Sequence, residues 1–114
     1  VTCTGTVSDS KGDLRKIIAV SKSSAYTLVA TDSGKVIYIS SGGVTVNASV
    51  MSGDEAVTII NNSGSDQTIT QGSGMTMYNT ADASTGNRTL AQRGMATIWF
   101  SSSSGSYISG AGLS

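Results

Sequence analysis

The apolar residues of this chain come in short runs, and nearly every run ends at Gly, Asn, Asp or Ser. Tyr26-Thr27-Leu28-Val29-Ala30 leads to Asp32-Ser33-Gly34, and Lys35-Val36-Ile37-Tyr38-Ile39 leads to the Ser/Gly stretch at 40–43. Val44-Thr45-Val46 alternates apolar and polar, as a half-buried strand does. Val57-Thr58-Ile59-Ile60 runs into Asn61-Asn62-Ser63-Gly64, followed by Gln67-Thr68-Ile69-Thr70 and the alternating Met75-Thr76-Met77-Tyr78. Residues 79–88 read as a long polar loop, Ala96-Thr97-Ile98-Trp99-Phe100 as the strongest late strand, and Ser106-Tyr107-Ile108-Ser109 as the closing one. No segment carries a 3.6-residue apolar period. Eight or nine short strands with frequent turn signals predict an all-β chain, an antiparallel β-sandwich or a jelly-roll-like barrel.

The composition points the same way. The chain has 21 Ser, 14 Thr and 14 Gly in 114 residues, residue types that weaken helix interiors, while Thr, Val, Ile and Tyr suit a pleated surface. One domain is expected at this length, with a modest core. Only 12% of residues are charged, seven basic against seven acidic, so no cationic stripe is available to neutralise phosphates and nucleic-acid binding is not expected. A weakly charged, hydroxyl-rich surface resists self-association poorly, which suits a chain that works inside an assembly. Proline, a common guard of sheet edges, is absent, so a partner subunit is expected to protect the edges.

Residues 1–24 differ from the rest. Thr2-Cys3-Thr4-Gly5-Thr6-Val7-Ser8 is thin in apolar residues, and Lys11-Gly12-Asp13-Leu14-Arg15 is a charged turn. They read as an extended arm or linker feeding a compact β domain at 25–114, with an ordinary edge strand as the other reading. A start at Val1 reads as a processed product or part of a longer polypeptide. Cys3 is the only cysteine and closes no internal disulfide. No apolar run approaches transmembrane length, so no membrane insertion is expected.

Catalytic constellations are scarce. Without His, Ser-His-Asp and Cys-His arrangements and His-based metal sites are excluded. The carboxylates Asp9, Asp13, Asp32, Asp54, Glu55, Asp66 and Asp82 mostly sit beside Gly or Ser, where Asp caps turn amides, and nothing selects a glycosidase pair among them. Gly72-Ser73-Gly74 lacks the lysine of a phosphate-binding loop and reads as a turn. Asp54-Glu55 lacks the further oxygen ligands calcium needs. The acceptor-like triplets at Asn47, Asn61 and Asn87 are chance matches in a Ser/Thr-rich chain. No enzyme activity, cofactor or metal is expected.

Trp99 is the one tryptophan. Strand alternation places Ile98 and Phe100 on one face and Trp99 with Thr97 on the other. An interface or packing anchor is the favoured reading, and a stacking platform for a sugar ring the alternative.

Several phrases, in this order, resemble the C-terminal modules of bacteriophage tail-fibre and related virion proteins, particularly those of cyanophages. They are Lys11-Gly12-Asp13-Leu14-Arg15, Ser24-Ala25-Tyr26-Thr27-Leu28-Val29-Ala30-Thr31-Asp32-Ser33-Gly34-Lys35, Gly43-Val44-Thr45-Val46, Asn61-Asn62-Ser63-Gly64 with Thr68-Ile69-Thr70-Gln71-Gly72, Thr85-Gly86-Asn87-Arg88-Thr89-Leu90-Ala91-Gln92-Arg93-Gly94, and Ile108-Ser109-Gly110-Ala111-Gly112. The resemblance implies a virion structural role: a β-sandwich-like module, commonly trimeric, on a longer fibre or on the particle surface, with no shared catalytic residues.

Trp99, Arg88 and Arg93 are accordingly the candidate oligomer contacts, arginine being the usual interface cation. Tyr78, Asn79, Asp82 and Asn87 are the candidate receptor-contact residues, facing a host surface glycan. The expected function is a non-enzymatic homotrimeric tail-fibre or spike module for host attachment, partnered with other virion proteins. A capsid decoration or head-fibre protein is the alternative, in which residues 1–24 lace onto the shell. A small fibre-borne glycan hydrolase and a bacterial β-adhesin module are weaker readings.

Overall fold

A computed structural model describes residues 16–114, together with the backbone of β1 (Ser8–Asp9) and β2 (Gly12–Asp13), which pair antiparallel with each other. The remainder of residues 1–15, and with it much of the arm expected at 1–24, lies outside the described residues. Nine strands build the main sheet. They are β3 (Ala19–Lys22), β4 (Tyr26–Thr27), β5 (Val36–Ile39), β6 (Val44–Val46), β7 (Ala56–Asn61), β8 (Gln67–Gln71), β9 (Thr76–Asn79), β10 (Arg88–Phe100) and β11 (Gly105–Leu113). One turn of 3-10 helix at Ala30–Asp32 interrupts them. The all-β class and the number of short strands are those expected, and the sheet curls into a nearly closed, sandwich- or barrel-like form.

The strand directions are mixed rather than antiparallel throughout. β3, β5 and β7 pair parallel in a front sheet, and β4, β6 and β8 pair parallel in a back sheet. The chain alternates between the two, so three successive coils each lay down one front and one back strand. The registers Ala19↔Val36↔Thr58 and Tyr26↔Val44↔Ile69 give the repeat. This is a short β-solenoid, in which each coil is stabilised mainly by its neighbours.

The coils bury aliphatic rows. Ile37 stacks on Ile59 in the front sheet and Val44 on Ile69 in the back sheet, and these four join Ile39, Val46, Leu28 and Met51 in one core. Each fully buried Ile or Val contributes about 1.5–3 kcal/mol. Outward positions of the back sheet form a threonine row, Thr27↔Thr45↔Thr70. Close stacking at the corner between front and back sheets depends on glycine. Gly42 and Gly43 both have positive φ (90° and 71°), and a Cβ would overlap the Ala25 backbone at one and the Thr68 carbonyl oxygen at the other.

The 13-residue β10 closes the structure. Its first part, Arg88–Leu90, pairs with β8 of the back sheet, and its last part, Met95–Trp99, pairs with β7 of the front sheet. It therefore crosses from one sheet to the other, with a register irregularity between Leu90 and Met95 and a left-handed Arg93 (φ 59°) inside it. Between Leu90 and Met95 the ladder of β10 is interrupted. The fully buried Asn61 side chain supplies donors there: its Nδ2 reaches the Leu90 and Ala91 carbonyls at 3.0 Å each and the Ser65 carbonyl at 2.7 Å. Ser63 Oγ donates to Asn61 Oδ1 at 2.7 Å, fixing the amide orientation. After β10 the chain reverses through Ser101 to Ser104, and β11 runs back beside it before pairing parallel with β9.

Asn61→Ala is expected to lower unfolding stability by about 2–3 kcal/mol in urea denaturation, through stranded carbonyls plus a small cavity. A loss below about 0.5 kcal/mol would show that the amide is not what holds the crossing. Gly43→Ala, strained in both φ and contact, is expected to cost at least about 1 kcal/mol in the same assay.

Candidate functional site: an uncharged aromatic face

The outward positions of the front sheet line up across five strands. Along one end, Trp99 sits between Ala56 and Tyr107, and Tyr107 sits beside Tyr78. At the other end the row runs Tyr38, Ile60, Met95, Ala111. Between them lie Val36, Thr58, Thr97 and Ser109, with the Thr58 and Thr97 hydroxyls 3.0 Å apart. None of these positions carries a charge. Five of the seven exposed large apolar side chains among the described residues lie here: Tyr38, Tyr78, Met95, Trp99 and Tyr107.

The three aromatics at the β10–β11–β9 end form a ladder. The Tyr78 and Tyr107 rings are 5.3 Å apart at 24°, and Trp99 and Tyr107 are 6.4 Å apart at 36°. At 5.3 Å two rings cannot lie side by side in one plane, because their edge hydrogens would overlap. The tyrosines therefore stand off the sheet and stack on each other, presenting edges and hydroxyls to solvent. Such cross-strand aromatic pairs contribute about 0.5–1.5 kcal/mol beyond area burial. The ladder is held from behind by Ile98, Phe100 and Ile108, all fully buried.

Trp99 lies where alternation placed it, outward with Thr97 and 43% exposed, while Ile98 and Phe100 point inward. Tyr78 shares its face, so an expected oligomer contact and an expected receptor contact belong to one surface. The other candidates are elsewhere. Arg88 binds its own loop through the Asn87 carbonyl (2.8 Å), Ser84 Oγ (3.0 Å) and the Thr85 carbonyl (3.4 Å). Arg93 donates to Asn62 Oδ1 at 2.8 Å. Asn79 is not displayed for a receptor: it is 6% exposed, and its side-chain oxygen accepts the Ala81 amide. Asn87 is exposed, with its oxygen accepting the Gln71 amide at 3.0 Å.

Asp82 is exposed at the loop apex. The Ser84 hydroxyl, then the Ser84 amide and, more weakly, Arg88 hold its carboxyl below the usual range, against a small opposing effect of desolvation. Sequence reasoning missed Tyr107 and Met95. Tyr107 was legible: it and Trp99 lie equally far from Ser103, so a hairpin through the serine run sets them opposite each other.

The one strongly shifted group among the described residues lies in the first coil. Tyr26 donates to the buried Asp32 carboxylate at 2.7 Å, and Asp32 also accepts the Val29 amide at 2.9 Å. Partial burial first, then the Asp32 hydrogen bond and charge, push the Tyr26 phenol up to about 12. Lys22 Nζ lies 4.7 Å over the same ring, a cation–π contact. The arrangement ties the 3-10 turn to β4. A polar groove lined by Ser21, Lys22, Ser23, Tyr38, Ser40 and Asn62 opens beside it, at the ends of β3, β5 and β7.

Among the described residues, no group of three or more His, Cys, Asp or Glu is placed to hold a metal ion, and no helix is long and apolar enough to cross a membrane. No protein-family model matches the chain, and comparison with curated proteins and with solved structures returns no match.

Because the folded pKa of Tyr26 lies above its ordinary 10.0, the stability it contributes is complete below pH 10 and is lost as pH rises toward 12. Wild type is therefore expected to lose stability over that interval relative to Tyr26→Phe, measured by urea midpoints at stepped pH. Parallel midpoints for the two proteins would refute the linkage.

Proposed function

We propose that this chain is a non-enzymatic structural module of a phage particle, of the tail-fibre or spike type. It assembles with copies of itself, probed first as a homotrimer, and with other virion proteins, and it serves host attachment. The observation that carries this reading is the uncharged aromatic face on a rigid sheet. Its Tyr, Trp and Met content and its lack of Lys, Asp and Glu are the composition of the central part of protein interfaces. A contiguous exposed apolar patch on a small domain marks a contact surface.

The solenoid supports such a role mechanically. Its coils are clamped by β10, so the face is presented without rearrangement. The loop at 80–87, with Asp82 exposed and Arg88 bracing it, is the segment that meets the host surface. The resemblance in the ordered phrases supplies the virion context.

The test is to count the chain on intact particles of the phage that encodes it, by immunogold electron microscopy with gel densitometry. A few copies at the tail are expected. Hundreds over the shell would replace this reading with a capsid decoration protein, and absence from particles would overturn the virion role.

A further inference from the structure

We infer that the aromatic face of the front sheet is where one copy of this chain packs against a second copy. The inference rests on the reading of the chain as a self-assembling module, and it assigns that assembly to one surface.

Charge is the first argument. When copies of one surface gather about a two-fold or three-fold axis, any charge near that axis faces its own sign. A face that must contact itself is therefore best built without charges. The face meets that condition over the five strands from Tyr38 to Tyr78, and the charge at its border, Arg93, is held by Asn62 Oδ1 at 2.8 Å.

Ring orientation is the second. A flat sugar ring binds on the open face of an aromatic side chain. Here the Tyr78 and Tyr107 faces are turned toward each other at 5.3 Å. Tyr107, between Tyr78 and Trp99, keeps its edge and hydroxyl outward, and the same face carries Trp99 and the flexible Met95 side chain, 43% and 53% exposed. Edges and thioethers interdigitate with a second protein surface, and edge-to-face aromatic contacts and sulfur–aromatic contacts are both favourable. The back sheet offers no equivalent, since its outward row is Thr27, Thr45 and Thr70.

Size sets the strength. Five strands at about 4.8 Å and five residues of β10 at about 3.4 Å give a plan area of roughly 350–400 Å². That is about half of the ~800 Å² that each partner contributes to a standard interface. The contact is then concentration-dependent, with a midpoint in the micromolar range or above, and it is reinforced where a fibre or shell holds copies close together.

Trp99 reports on this surface without labelling, because it is the only tryptophan. The experiment is sedimentation of the full chain from micromolar to millimolar concentration, with tryptophan emission and acrylamide quenching read on the same samples. The expected result is a rise in mass accompanied by a blue shift and at least two-fold weaker quenching. Tyr107→Lys is expected to weaken association ten-fold or more, while Thr68→Lys on the outer back sheet leaves it unchanged. Circular dichroism and melting of each variant confirm folding, and Met95→Lys repeats the test at a second position should Tyr107→Lys unfold.

Assembly with Trp99 still fully quenchable would mean that copies meet elsewhere, overturning this inference and leaving the self-assembly reading intact. A chain that stays monomeric to millimolar concentration would overturn both. Protection of Trp99 in the monomer by a soluble glycan would give the face to a carbohydrate and also overturn the inference.

Discussion

The Asn61 carboxamide is the contact on which the closed form of this molecule depends. β10 belongs to both sheets, and a strand cannot change sheets without leaving part of its ladder unpaired. Asn61 bridges the crossing with two hydrogens directed at the buried Leu90 carbonyl and the part-buried Ala91 and Ser65 carbonyls. An apolar residue of the same size would fill the space but strand the buried Leu90 carbonyl, at about 1–3 kcal/mol. The crossing in turn brings Met95–Trp99 against β7 and lets β11 follow. The crossing that Asn61 braces thus carries the strands that display the aromatic face.

The positions of the strands were legible in the sequence, but their directions were not. Val44-Thr45-Val46 and Gln67-Thr68-Ile69-Thr70 alternate as strands whose outer face is polar, and that pattern is usually antiparallel. Here the same alternation serves parallel strands, because each coil turns its threonines to solvent and its Ile or Val inward. Turn residues were equally uninformative about destination. Asp32-Ser33-Gly34 and the stretch at 40–43 mark changes of direction, but a chain that turns to join the strand beside it and one that turns to cross the core use the same Gly, Asp and Ser chemistry. The first half of β10 was hidden for another reason: Arg88-Thr89-Leu90-Ala91-Gln92-Arg93-Gly94 is polar and contains a left-handed residue, so it reads as loop.

The face was partly legible. Strand alternation at 97–100 assigns Trp99 to the outside. Recognising that Tyr78 shares that surface needs the parallel β9–β11 pairing, whose partners lie 29 residues apart (Tyr78 and Tyr107) and are joined by no tight turn. Asn79 illustrates the opposite error. A polar residue next to a polar loop reads as exposed, yet the alternation of β9 turns it inward, where its amide oxygen caps the loop that follows.

The two ends of the coil stack are chemically unlike. At one end β10 covers the outer edges of both β7 and β8. At the opposite end, no described strand pairs with the outer edges of β3 and β4, and the terminal coil is sealed by side chains: the Lys22 ammonium over the Tyr26 ring and the Tyr26 hydroxyl on Asp32. An inward-leaning lysine is a common guard against stray strand addition. Growth of the architecture is thus directional. A coil added before β3 would extend both parallel ladders in register, whereas one added after β8 would have to displace β10. Among the described strands the added coil would lie against β3 and β4, and the hairpin that carries the aromatic ladder would stay at the end closed by β10.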